Sequence, residues 1–119
     1  MFNHFFRRLY LKAKRKIEIE NHKRVQEETL PDGVDCAERT YLKDGNPLHK
    51  MNIYRPSGCI NSSALPLIID VHGGGWICGD KDTNNNFCYH LAKERNIVTS
   101  LSYRTIDACT IVEQIQDIF

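Results

Sequence analysis

The sequence predicts an α/β fold: a hairpin followed by parallel strands with flanking helices, the whole preceded by a basic amphipathic helix. Three observations lead there. After Pro66 the chain runs strand, helix, strand, helix, which is the order that builds a parallel sheet. Before Pro66, two strand-like segments flank a loop of turn residues. The first 24 residues place apolar and cationic side chains on opposite sides of a helical wheel.

The amino-terminal helix is expected over residues 1–30. Phe2, Phe5, Phe6, Leu9, Tyr10, Ala13 and Ile17 recur at helical spacing, against Arg7, Arg8, Lys12, Lys14, Arg15 and Lys16. Residues 1–24 carry a net charge of +6, which leaves −5 on the other 95 of a chain whose total is +1. Packing on the body of the fold with a solvated basic face is the plain reading. Weak contact of residues 1–24 with an anionic membrane surface is the second. Nucleic acid is not an expected partner, because no recognised binding motif accompanies the charge and the pI is about 7.7.

Pro31, Asp32 and Gly33 then form a turn that separates this helix from a domain over residues 36–119. Strands are expected over 38–43 and 48–54, joined by a loop centred on Asp44, Gly45 and Asn46. In the second, Leu48, Lys50, Asn52 and Tyr54 share one face, with His49, Met51, Ile53 and Arg55 on the other, an imperfect alternation that an edge strand allows. Ser57 to Pro66 is small and polar and reads as a surface loop. "LIIDV", Leu67 to Val71, is an apolar run broken only by Asp70, as in a strand covered on both faces. Asp82 or Thr83 caps a helix reaching about Arg95, with Phe87, Cys88, Leu91 and Ala92 on its buried side. Asn96 to Tyr103 supplies the next strand. Thr110 and Glu113 have capping-box spacing, followed by a helical stripe of Ile111, Val112, Ile115, Ile118 and Phe119.

Composition bounds the function. With 41% hydrophobic and 26% charged residues, 119 residues suffice for one small globular domain. No apolar run approaches the roughly 20 residues of a membrane span. The amino end lacks the apolar core and cleavage site of a signal peptide, so a cytoplasmic location is expected. Cys36, Cys59, Cys78, Cys88 and Cys109 are odd in number and never paired as C-x-x-C, so reduced, mostly buried thiols are expected rather than disulfides or zinc. Neither a metal nor an organic cofactor is expected.

The chemistry-bearing segment is "HGGGWICGD", His72 to Asp80, directly after the apolar strand. Open α/β sheets assemble ligand sites at the carboxyl ends of their strands. Successive glycines allow positive φ and let backbone N–H groups approach a ligand closely. Such an array suits an anion or a developing oxyanion. The segment is neither G-x-G-x-x-G nor a P-loop, and Lys81 sits at the wrong offset for a phosphate-binding lysine.

"HGGGW" after an apolar strand, then "GD", a helix, a strand and "SYR", resembles the hormone-sensitive-lipase-like esterases and lipases of the α/β-hydrolase fold. The resemblance covers about two thirds of the chain and implies a small-molecule ester substrate and an acyl-enzyme mechanism. It assigns the oxyanion hole to the amides of Gly74 and Gly75. His72 and Gly73 shape the loop, because the catalytic histidine of this order follows the serine and the acid. Asp80 and Arg104 are expected to pair and brace the loop, with helix capping by Asp80 as the alternative. Trp76 is expected at the acyl pocket, or as plain core filling. After "YR" the family continues Leu-Ala-Pro where this chain has "TIDACT".

No G-x-S-x-G occurs: Ser57 lacks the preceding glycine, and Ser62, Ser63, Ser100 and Ser102 have no glycine partners. In the family order the nucleophile follows the helix that reaches Ile118 and Phe119, and the acid and histidine come later. The expectation is therefore the amino-terminal portion of an esterase, truncated before its nucleophile and inactive alone. The alternative is a non-catalytic binding or regulatory module derived from a hydrolase.

Overall fold

A computed structural model describes residues 4–59 and 64–119. Phe2 and Ile60 to Ser63 of the expected surface loop lie outside the described residues. The elements in chain order are α1 (His4–Glu27), β1 (Val34–Thr40), β2 (Lys50–Pro56), β3 (Leu67–Val71), α2 (Asn85–Lys93), β4 (Ile97–Leu101) and α3 (Ile111–Ile118). The four strands form one mixed sheet in the order β1-β2-β4-β3. β1 and β2 are antiparallel, β2 and β4 are antiparallel, and β3 and β4 are parallel, with α2 in the crossover.

The hairpin is shifted from its expected bounds. Gly33 at φ +85° turns the chain directly into β1, and Val34 pairs with Pro56 while Thr40 pairs with Lys50. β1 ends three residues early because its polar sequence, "VDCAERT", has no alternation that fixes register locally; the partner strand fixes it. The loop centres on the expected residues, with the Asp44 carboxylate accepting from Asn46 N–H at 3.0 Å and Gly45 at φ +82°. β2 is a central strand, not an edge. Its Asn52 and Tyr54 are buried as grouped, whereas Leu48 is exposed and His49, grouped with the opposite face, is buried.

A single core fills the space between the sheet and α2. Tyr54, Cys88, Ala92 and Val98 are fully buried there, packed by Val34, Ile68, Tyr89 and Leu91. The Tyr54 and Tyr89 rings meet edge to face at 5.1 Å. Asp70, the one charge in β3, is answered from that side: its carboxylate accepts from Ser100 Oγ at 2.7 Å and Asn84 Nδ2 at 2.9 Å. A buried carboxylate without such partners would be costly.

Helix α2 starts later than expected, with Asn84 rather than Asp82 or Thr83 at the N-cap position. Its inward row is Cys88 and Ala92, and Phe87, one residue off that row, is 60% exposed. Arg95 takes φ +65° and Asn96 Nδ2 donates to the Leu91 carbonyl, which closes the helix. At α3 the capping box is present in both directions: Glu113 N–H donates to Thr110 Oγ1 and Thr110 N–H to Glu113 Oε2.

Three apolar surfaces face away from the body. β3 is an edge strand covered on one face only, and Leu67, Ile69 and Val71 are exposed where cover on both faces was expected. The α3 stripe is turned outward: Ile111, Val112, Ile115 and Phe119 are exposed while Gln114 and Asp117 are buried. α1 has no buried residue at all. It meets the body through half-buried Tyr10, Lys14, Asn21 and Val25, and Phe5, Phe6 and Leu9 of the expected packing face are exposed. Among the described residues no helix is long and apolar enough to cross a membrane. The cysteines are all free; Cys78 and Cys88 are buried, but Cys36 is exposed and Cys59 and Cys109 are intermediate, so most are not buried.

Candidate functional site

The glycine loop leaves the carboxyl end of β3 and is held by groups from three directions. His72 is buried beneath it, its ring stacked on Tyr103 at 4.3 Å and 6° between planes. Tyr103, just past β4, donates its hydroxyl to the His72 carbonyl at 2.9 Å. His72 Nδ1 lies 2.8 Å from the Gly73 carbonyl oxygen. Burial pushes the His72 imidazole below its ordinary pKa, against the pull of that carbonyl. The neutral ring, with Nδ1–H donating to Gly73, satisfies this geometry and leaves Nε2 buried without a hydrogen bond.

Two glycines are required by contact as well as by conformation. Gly74 sits at φ +144°, and a Cβ there would lie 1.9 Å from the Cys78 carbonyl oxygen. Gly79 sits at φ +103°, and a Cβ there would lie 2.3 Å from His72 Nδ1. The loop is therefore folded tightly on itself, with Ile77 N–H donating to the Gly74 carbonyl at 3.2 Å. Gly75, at φ +60°, has nothing within 4 Å of the same position. The backbone N–H groups from Gly73 to Trp76 donate to no described residue, so a run of unpaired N–H groups that includes Gly74 and Gly75 stands at the end of the strand.

Trp76 follows at φ +62°, a conformation disfavoured for a residue with a bulky side chain. Its carbonyl is held twice, by Ile106 N–H at 3.0 Å and by Gln114 Nε2 at 3.1 Å. The indole is 57% exposed to solvent.

Asp80 and Arg104 do not pair. The Asp80 carboxylate accepts from Asp82 N–H at 2.9 Å and sits 3.4 Å from Thr83 Oγ1, a turn closed within the loop. Arg104 turns instead to α3, where Nη2 and Nε reach the Asp117 carboxylate at 2.6 and 2.9 Å and the Arg104 N–H donates to it at 3.0 Å. His49 Nε2 lies 3.2 Å from the same carboxylate and His49 Nδ1 lies 2.8 Å from Asp44. Burial pushes the Asp117 carboxyl up, and Arg104 with His49 pulls it down further, to about 2. Gln114 and Asp117 thus fix α3 against the loop and against the segment after β4. Sequence reasoning missed both, although their i, i+3 spacing opposite the Ile111/Ile115 stripe marks a second, polar face of the same helix.

The BD-FAE family profile matches residues 51–119, more than half of the chain. Carboxylic ester hydrolase LipN of Mycobacterium tuberculosis is 44% identical over 52 residues, 43% of this chain and 13% of that protein. Isoprenylcysteine alpha-carbonyl methylesterase ICME of Arabidopsis thaliana is 30% identical over 79 residues, 66% of this chain and 18% of that protein. Among solved structures, esterase B from Lactobacillus rhamnosis superposes with a TM-score of 0.82 at 30% identity, over 92% of this chain and 35% of that one. The same enzyme in a tributyrin phosphonate inhibited form reaches 0.88 at 28% identity, over 99% and 38%. The chain thus spans well under half the length of each of these relatives. A sheet of this order, the glycine loop at the end of its parallel edge strand and the family match over residues 51–119 together show that the chain belongs to the BD-FAE family of α/β-hydrolases.

Proposed function

We propose that this chain supplies the oxyanion-hole part of a serine ester hydrolase, with the amides of Gly74 and Gly75 as the two donors. The observation that carries the reading is the run of unpaired N–H groups at the carboxyl end of β3, Gly74 and Gly75 among them, in a loop whose folding leaves no room for a side chain at Gly74. His72, Tyr103 and Gly79 shape that loop from below, and Gln114 fixes it from α3. Exposed Trp76 belongs to the wall of the acyl pocket. Each donor of an oxyanion hole is worth about 10²–10³ in rate.

Topology supports the same reading. β4 occupies one side of β3, so a further parallel strand reached through α3 has only the other side to join. A strand added there would end beside the glycine loop, where a G-x-S-x-G turn could present its serine to the two amides. Its addition, with a helix across the open face, would also cover Leu67, Ile69 and Val71.

These 119 residues contain no G-x-S-x-G, so attack on an ester needs a serine, a base and an acid from elsewhere. Assayed alone against p-nitrophenyl butyrate, the chain is expected to show only the uncatalysed rate. Turnover that co-purifies with the chain would overturn the assignment. Should the chain instead bind acetate saturably as a monomer, with amide resonances of Gly74 and Gly75 shifting, the non-catalytic binding module would replace it. A reducing, cytoplasmic setting fits the five free thiols.

A further inference from the structure

We propose that the amino-terminal half of α1 is a docking surface for an anionic lipid bilayer. The first observation is which side of the helix the body uses. α1 is held through Lys14, whose ammonium reaches Thr105 Oγ1 at 3.1 Å and Asp107 at 2.8 Å, and through Arg24, which donates to the Thr83 carbonyl at 2.6 Å. Tyr10, Lys14, Asn21 and Val25 form the half-buried row on that side. Phe6, Leu9, Ala13 and Ile17 fall on an adjoining arc, and Phe6 and Leu9 are each 57% exposed. Phe5, in edge contact with Phe6, extends the arc and is 68% exposed.

The second observation is charge. Residues 4–17 contain no carboxylate, and the acids of the helix begin at Glu18. Arg7, Arg8, Lys12 and Arg15 make no ion pair with any described residue, whereas Lys14, Lys16, Lys23 and Arg24 each have a carboxylate within 4 Å. An exposed apolar arc bordered by unpaired cations, on a helix whose adjoining side is anchored to the fold, has the charge and form of an interfacial helix. The complementary surface is an apolar layer beneath negative headgroups. The cytoplasmic leaflet offers that combination, and each juxtamembrane basic residue adds to binding there.

The test is partition of the whole 119-residue chain into vesicles of phosphatidylcholine alone and of phosphatidylcholine mixed with phosphatidylserine. Binding is expected to the mixed vesicles only, and is expected to weaken at least about tenfold when salt shortens the Debye length from roughly 10 to 3 Å. Leu9→Glu and the pair Arg8→Gln with Lys12→Gln are each expected to weaken it about tenfold. Val112→Glu, on the exposed stripe of α3, is expected to leave it unchanged. Far-UV circular dichroism confirms that each variant, altered only at exposed positions, keeps its fold. Absence of binding to the mixed vesicles, equal binding to neutral ones, or equal loss with Val112→Glu overturns the proposal. None of these outcomes bears on the oxyanion site.

Discussion

Gly74 and Gly75 are neighbours of the same residue type, yet alanine should cost very different amounts at the two positions. At Gly75 an added Cβ meets open space, and only the left-handed conformation at φ +60° opposes it. That strain is worth about 1–2 kcal/mol. At Gly74 the Cβ would stand 1.9 Å from the carbonyl oxygen and 2.7 Å from the carbonyl carbon of Cys78, at φ +144°. Both atoms are backbone and cannot rotate aside, so the turn must open and the Ile77 N–H to Gly74 hydrogen bond goes with it. Strain of this kind and the lost bond together come to more than about 3 kcal/mol. For 119 residues about 1 kcal/mol moves the midpoint by about 4 °C. Gly75→Ala is therefore expected to melt roughly 4–8 °C below the parent, and Gly74→Ala at least about 12 °C below it or not to fold. Thermal and urea unfolding followed by circular dichroism and by the emission of Trp76, the single tryptophan, give both numbers. Equal losses at the two positions, or a larger loss at Gly75, would refute the loop geometry.

Tyr103→Phe keeps the ring stacked on His72 but strips the hydroxyl from the His72 carbonyl, and should cost about 1 kcal/mol in urea unfolding. Asp117 has its folded pKa lowered to about 2 from 3.8, so the stability it contributes is complete above about pH 4 and disappears as pH falls through 2; Asp117→Asn should flatten the unfolding free energy across that window. The folded His72 pKa is lowered from 6.5, so below that value the unfolded chain takes up a proton that the folded chain refuses; stability should fall as pH drops from 6.5, and His72→Gln should remove that slope in a pH series of melts.

The capping box at Thr110 and Glu113 was readable because its two hydrogen bonds are local and span three residues. The glycine loop was readable because positive φ is a property of single residues. The face of α3 was not: Ile111 and Ile115 look like an inward stripe, and only the positions of Trp76 and Arg104, remote in sequence, show that Gln114 and Asp117 are what this part of the fold buries. The same holds for Arg104: the local pattern pairs it with Asp80 of the loop, whereas its partner Asp117 lies on the polar face of α3. The covering of β3 was misread for a related reason. Its apolar run reports a strand that can be buried on both faces, and the residues of this chain cover one. The packing face of α1 was misplaced because an apolar arc says which side avoids water, while Lys14 and Arg24 say which side meets the body.

The proposed function makes Gly74 and Gly75 half of an ester-hydrolysing site whose nucleophile lies on a strand beside β3. The most direct measurement is the sequence of the transcript beyond the codon for Phe119. A continuation encoding a strand, then G-x-S-x-G, then an aspartate and a histidine in that order is the predicted result. A stop codon there, with no such sequence in any frame downstream, would contradict the claim and leave the unpaired amides as the binding site of a non-catalytic module.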